Sequence, residues 1–102
     1  MVKHPKYQAM DEARQIAIPK AFEKFCPDDF VLDVIEPKSD SRPGPIPRPT
    51  FRVFSPQEVL LAHFHPNGYS ECHDVSFQEI YEKMKVMIEE AAKRGYEEFQ
   101  GL

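Results

Sequence analysis

A proline-rich segment in the middle of the chain limits the fold more than any other feature. Residues 38–49 read Lys-Ser-Asp-Ser-Arg-Pro-Gly-Pro-Ile-Pro-Arg-Pro and hold four of the ten prolines. Proline removes a backbone donor and fixes φ, so this run forms neither a helix nor an interior strand. It predicts a long loop within one domain. Arg42 and Arg48 are the loop residues that could bind an anionic ligand, and solvated loop charges are the alternative.

Length and charge exclude several classes of protein. The 102 residues are enough for a single domain, 1–102, with its own core. A net charge of −4 opposes a phosphate backbone, so we expect no nucleic-acid partner. The N-terminus lacks the apolar core of a signal peptide and no apolar run approaches membrane-spanning length, so we expect a cytoplasmic protein without a membrane segment. Cys26 and Cys72 are expected to be reduced, with Cys26 in the core.

The half before the loop predicts a helix and a strand. Apolar residues recur at helical spacing from Tyr7 to Ala17, with Asp11 and Arg14 among the polar residues between them. Pro19 is expected to end this helix, and residues 20–25 to form a second short helical turn at an angle to it. Residues 30–35 are β-branched and apolar apart from Asp33, which predicts a strand.

The half after the loop predicts a hairpin and a helix. Residues 50–54 and 59–65 read as strands joined by a type I turn at Ser55-Pro56-Gln57-Glu58. Strand alternation places Leu61 on the same face as His63 and His65. Ser76-Phe-Gln-Glu79 is a capping box that starts the last helix, Glu89 is expected to face water, and Gly95 to end the helix. The core stripe of this helix is expected to comprise Phe77, Ile80, Tyr81, Met84, Ile88 and Ala91.

These elements predict an α+β fold. The order is α, β, long proline loop, β, β, α. Apolar faces must be buried against one another, so we expect a small antiparallel sheet of about three strands with the N- and C-terminal helices packed on one face.

Groups able to do chemistry are concentrated between His63 and Asp74. Two imidazoles two residues apart on a strand can reach one ion, and a third ligand could come from the following turn, which leaves the open position that a catalytic zinc needs. The candidates for that third ligand are Glu71, Cys72, His73 and Asp74. The alternative is a polar turn with a solvated histidine pair at the end of a strand.

The segment Leu61-Ala-His63-Phe-His65-Pro-Asn-Gly is locally similar to the His-x-His-Pro segment of JAMM-type metalloproteases. This resemblance implies that His63, His65 and Asp74 hold zinc and that Glu36 is the general base. The likeness covers about a dozen residues. Asp74 comes too early for the family pattern, and the chain ends before the family's closing strand, so the chain is not assigned to that family.

Two functions remain open from the sequence. The first is an accessory or regulatory protein that acts through a protein partner or as a homodimer, for which no cofactor is predicted. The second is a hydrolase or metal-binding protein that uses zinc or another divalent metal at His63 and His65, with His73, Asp74 and Cys72 as further candidate ligands. Whether the protein is an enzyme is left open.

Overall fold

The computed structural model describes residues 5–36 and 48–100, with side chains described for 7–36 and 48–97. The elements are α1 (Pro5–Phe25), β1 (Val31–Ile35), β2 (Thr50–Phe54), β3 (Leu60–Phe64), β4 (Ser70–Cys72) and α2 (Gln78–Gln100), and a 3₁₀ turn at Val75–Phe77 precedes α2. The predicted α+β class is confirmed. Most of the proline-rich segment, including Arg42, lies outside the described residues. None of the helices in the described ranges is long and apolar enough to cross a membrane.

The sheet is an antiparallel meander with the strand order β1-β2-β3-β4. The sequence predicted about three strands, and the fourth is the three-residue β4, which pairs with β3. Residues from both helices pack with Phe51, Val53 and Phe64 in a single core. Since alternate residues of a strand point to opposite faces, the helices cover one face of the sheet, and among the described residues no helix covers the other, which we call the open face. The open face carries Arg52 and His63.

Pro19 does not end α1, so the prediction of a break there was wrong. The helix is continuous from Pro5 to Phe25, with Pro19 inside it. Pro19 is exposed, whereas Ile18 and Ala21 on either side of it are fully buried. Burial of these neighbours holds the helix together, because tertiary packing of an apolar face outweighs the loss of one backbone hydrogen bond.

Gly95 does not end α2 either, because that helix continues to Gln100. A Cβ atom placed on Gly95 would lie 2.9 Å from the Cβ of Ala13 and 3.0 Å from the carbonyl oxygen of Ala9. Gly95 therefore lies at a point of close approach between α1 and α2. The absence of a side chain there serves helix packing, and a helix stop was the wrong interpretation.

A β-bulge corrects the predicted face of Leu61. The register shifts between Val53 and Phe54 of β2, opposite Leu60 to Ala62 of β3. A bulge places two residues of one strand against one residue of its partner, so strict alternation is lost there. Leu61 is buried and lines a cleft with Phe77, on the helix side of the sheet. His63 and His65 keep the predicted common face.

The cap before α2 is Asp74, although the sequence predicted a capping box at Ser76. The Asp74 carboxylate accepts hydrogen bonds from the Ser76 backbone N–H at 2.9 Å and from the Ser76 hydroxyl at 2.7 Å. These bonds lower the pKa of Asp74 below its ordinary value, because they favour the charged carboxylate. The 3₁₀ turn inserted between the cap and α2 displaces the start of the α-helix to Gln78.

A buried ion-pair network joins the helices to the turn between β3 and β4. The Arg14 guanidinium donates to Asp11 at 3.2 Å, to both carboxylate oxygens of Glu89 at 3.1 Å, and to the Pro66 carbonyl at 3.3 Å. Asp11 and Arg14 are buried and Glu89 is half-buried, so the expectation that Glu89 faces water holds only in part. The arginine guanidinium is planar and carries five N–H donors, so it suits this set of acceptors.

Candidate functional site

The open face of the sheet carries a row of polar side chains, one from each strand. The pairing aligns Asp33 with Arg52, Arg52 with His63, and His63 with Glu71. Side chains directly opposite each other on neighbouring antiparallel strands have Cβ atoms about 5 Å apart. The Arg52 guanidinium donates from Nε to the Asp33 carboxylate at 3.0 Å. This pair occupies one end of the row, and His63 and Glu71 occupy the other.

Three side chains of types that can bind metals meet at that second end. The Nδ1 atom of His63 lies 2.6 Å from the Nε2 atom of His73, and the same Nε2 atom lies 3.3 Å from Oε2 of Glu71. One ligand atom from each of the three residues lies within 4.8 Å of the others. We call His63, Glu71 and His73 the His-Glu-His cluster. Within the described residues, it is the group of three or more His, Cys, Asp or Glu side chains whose ligand atoms lie close enough together to hold one metal ion.

The hairpin of β3 and β4 assembles this cluster. The register pairs His63 with Glu71, and the backbone N–H of His73 donates to the Leu61 carbonyl at 2.8 Å, which keeps the chain beside β3 for one residue beyond Cys72. His73 therefore follows Glu71 by two residues along an extended strand and presents its ring on the same face. The His63 and His73 rings meet edge to face with centroids 4.8 Å apart.

The cluster lies at the surface, and its electrostatics favour the neutral form of His63. The pKa of His63 is lowered from its ordinary value, first by partial burial and then by the neighbouring charges of His73 and His65. The short distance between the two imidazole nitrogens requires that one ring donates a proton and the other accepts it. Neutral imidazole is also the form that binds metals, so the arrangement of these rings suits a metal ligand set.

The donor set fits a divalent transition metal. Two imidazoles and one carboxylate suit zinc, and the same set occurs in open sites for other first-row metals. Tetrahedral zinc with Zn–N distances near 2.0 Å would place two ligand nitrogens about 3.3 Å apart. The His63 and His73 nitrogens at 2.6 Å need to separate by less than about 1 Å to reach that value. Rotation of two partly exposed rings can supply this movement.

Three of the residues predicted from the sequence have other roles in the structure. His65 shares the face of His63, with the ring centroids 6.2 Å apart, but its Nδ1 atom is hydrogen-bonded to the Thr50 hydroxyl at 3.3 Å. Asp74 is the cap described above. The Cys72 thiol donates to the Asp74 carbonyl at 3.2 Å and packs against the core, on the face away from the histidines. The structure therefore brings together His63, Glu71 and His73 from the predicted set.

Other candidate residues lie away from the cluster. Glu36 follows β1, the opposite edge of the sheet, and lines a cleft beside α1 with Glu12, so it is not placed as a base for the histidines. Arg48 donates to Gln15 at 2.9 Å and pairs with Glu12 at 3.5 Å, which ties the end of the loop to α1. In the sequence, Glu71 is only one of four alternatives for a third ligand, and nothing there favours it over Cys72 or Asp74. The Asn67-Gly68 dipeptide is a hairpin signal, and a three-residue loop at 66–68 gives the register that pairs Glu71 with His63.

The two thiols are expected to differ in reactivity. Burial raises the pKa of the Cys26 thiol to about 11, and its sulfur lies 3.8 Å from the Met84 sulfur in the core. At pH 8 the reactive thiolate is then only about a thousandth of the population. In the Cys72→Ser variant, Ellman's reagent should modify no thiol rapidly in native buffer and one thiol in denaturant. The matched Cys26→Ser variant should react faster when native, because Cys72 is only half-buried. Rapid native labelling of Cys26 would contradict its position in the core.

The chain matches no protein-family model, no curated protein and no solved structure. The geometry of the His-Glu-His cluster is therefore what supports a function for this protein.

Proposed function

We propose that this protein binds a divalent transition metal ion, zinc by its donor set, through His63, Glu71 and His73. The observation that supports this proposal is the convergence of two imidazole nitrogens and one carboxylate oxygen within 4.8 Å on the open face of the sheet. A chance surface pair of histidines needs no carboxylate beside it, whereas a metal site needs a third donor, and a carboxylate also offsets part of the charge of the ion.

Three protein ligands leave a coordination position for a ligand from solution. Held by His63, Glu71 and His73, a zinc ion would supply Lewis-acid chemistry of the kind used in metal-dependent hydrolysis. His73 is exposed and His63 and Glu71 are half-buried, so a substrate can approach the site from solvent. Binding of the metal is the primary function proposed, and hydrolysis is the reaction class that the open position supports.

A metal ion bound to the cluster should also stabilise the edge of the sheet. Its ligands come from β3, from β4 and from the residue after β4, so a bound ion would cross-link a three-residue edge strand to its neighbour. A ligand that binds only the folded state stabilises it by about 2.7 kcal/mol at 100 times its dissociation constant. For a domain of this size that amounts to about 10 °C or more in Tm.

Metal titration tests the proposal. Isothermal calorimetry with Zn²⁺ should give one site per chain, and Co²⁺ should give the absorption bands of a four-coordinate ion. Loss of a hydrogen-bond partner of a ligand costs about 10- to 100-fold in affinity, so loss of a ligand, as in His73→Ala, should raise the Kd more than about 100-fold. His65→Ala is the matched control and should keep the affinity within a few-fold. An equal loss in His65→Ala would instead favour the ligand set of the JAMM-type resemblance.

A second candidate function is contact with a protein partner or a second copy of the chain. Exposed apolar side chains on the edge strand β1, namely Val31, Val34 and Ile35, favour this function. An edge strand presents unpaired backbone groups that another strand can bind. We propose a reducing compartment such as the cytoplasm for either function, supported by the two free thiols, Cys26 and Cys72. The net charge of −4 supports partners other than nucleic acid.

Light scattering of the protein over a range of concentrations tests association. A second copy on β1 predicts a dimer that Val34→Lys converts to monomer, because edge-strand lysines block pairing. A monomer at all concentrations would leave a different protein as the partner to be sought.

A further inference from the structure

Tyr69 holds one oxygen of Glu71 while the other oxygen faces the histidines. The Tyr69 hydroxyl donates a hydrogen bond to Oε1 of Glu71, and Oε2 of the same carboxylate lies 3.3 Å from Nε2 of His73. The two carboxylate oxygens therefore have separate roles. One is bound to a phenol, and the other is directed to the centre of the cluster.

The turn between β3 and β4 fixes the position of Tyr69. The His65 N–H donates to the Tyr69 carbonyl at 2.9 Å, and the Tyr69 N–H donates to the Asn67 side chain at 3.0 Å. The Tyr69 ring packs beside the His65 ring with centroids 5.3 Å apart. Gly68 precedes Tyr69 and has a backbone φ of 99°, a conformation that residues other than glycine rarely adopt.

The buried Arg14 network anchors this turn to the helices. Arg14 donates to the Pro66 carbonyl at 3.3 Å, and a Cβ atom on Gly68 would lie 3.3 Å from the central carbon of the guanidinium. The backbone of the turn therefore rests directly on a charged group that both helices hold. Although the Tyr69 side chain is 54% exposed, the backbone that carries it is tied to the core.

We propose that Tyr69 is a positioning residue of the metal site, an inference that rests on the proposed function. Its hydroxyl orients Glu71 so that the carboxylate binds the ion through Oε2 alone. Carboxylate ligands in metal sites are themselves hydrogen-bonded, and these bonds fix their orientation. A carboxylate held in this way contributes one donor atom and keeps the fourth coordination position open, whereas an unrestrained carboxylate can bind through both oxygens and fill it.

The test compares two variants that each remove one phenol oxygen. Tyr69→Phe deletes the hydroxyl on Glu71. Tyr81→Phe is the matched control, because its hydroxyl is bonded to the Ser70 hydroxyl at 2.7 Å on the helix side of the same strand. In Co²⁺ titrations, Tyr69→Phe should raise the Kd about 10-fold and weaken the visible bands as coordination number rises, while Tyr81→Phe should leave both unchanged. The metal-free Tm should fall in Tyr81→Phe and not in Tyr69→Phe.

Three results would overturn the proposal, and they are distinguishable. Equal Co²⁺ affinity and spectra in Tyr69→Phe and wild type would show that the Tyr69 hydroxyl does not orient Glu71. The proposed metal site would remain supported. No Co²⁺ binding by wild type would overturn both this proposal and the proposed function. A phenolate-to-metal charge-transfer band with Fe³⁺ or Cu²⁺ that disappears in Tyr69→Phe would make Tyr69 a ligand, which contradicts a positioning role.

Discussion

Replacing Arg14 with leucine is expected to lower the free energy of unfolding by about 3 kcal/mol, because it removes one partner of a buried ion-pair network. Arg14 is 8% exposed, and its guanidinium is the shared donor for Asp11, Glu89 and the Pro66 carbonyl. Leucine fills part of the volume of the arginine side chain but donates no hydrogen bond. The Asp11 carboxylate therefore stays buried and loses its ion pair with the Arg14 guanidinium. Glu89 is only half-buried and can turn to water, which keeps the effect at the lower end of the range of 3–5 kcal/mol for such losses.

Urea denaturation followed by far-ultraviolet circular dichroism measures the Arg14→Leu effect. Arg94→Leu on α2 is the control, because Arg94 is exposed and a surface change of this kind costs less than about 0.5 kcal/mol. Arg14→Lys should fall between the two, since it keeps the charge and loses the planar fork. A loss below about 1 kcal/mol in Arg14→Leu would mean that the freed carboxylates reach water and that the network contributes little to stability.

Replacing Phe77 with alanine is expected to cost about 3–5 kcal/mol, the range for deleting a buried aromatic ring. Phe77 is 2% exposed and its ring lies 6.2 Å from that of Phe30, between the sheet and the start of α2. It belongs to the 3₁₀ turn that replaces the first turn of the predicted helix. The cavity left by alanine would border a cleft that already opens beside Leu61 and Ile80, so water can enter it.

Val75→Ala in the same 3₁₀ turn is the control for Phe77→Ala. Val75 is 90% exposed, and its truncation should change the free energy of unfolding by less than about 0.5 kcal/mol. Equal effects of the two substitutions would show that the turn, and not the buried ring, determines stability at this place. Calorimetric Tm values should follow the same order, with the Phe77→Ala transition more than about 10 °C below that of Val75→Ala.

Local sequence patterns were reliable where one interaction dominates. The turn at Ser55-Pro56-Gln57-Glu58 forms as predicted, with the Glu58 N–H donating to the Ser55 carbonyl at 2.9 Å. The bounds of β2 are those predicted, and Tyr81, Met84 and Ile88 are buried on α2 as their spacing requires. Cys26 lies in the core as expected of a free cysteine. Each of these features depends on residues close together in sequence.

Predictions failed where contacts with residues distant in sequence outweigh the local sequence preference. Pro19 and Gly95 usually end helices, yet burial around Pro19 and the approach of Ala13 to Gly95 keep both helices intact. Arg14 and Glu89 read as surface charges because each lies on its own polar stripe. They are 75 residues apart in sequence, so no local pattern shows that they meet.

For the candidate site, the region and the types of candidate ligand can be identified from the sequence, because His63, Glu71 and His73 lie in one short polar segment between a strand and a helix. Which of the candidate ligands converge depends on the tertiary structure. The register of β3 on β4 places Glu71 opposite His63 and brings His73 to the same face, while the cap of the last helix binds Asp74 and the hydroxyl of Thr50 binds His65. The physical reason is that residue types specify the donors, whereas strand pairing specifies which donors lie within bonding distance of one point.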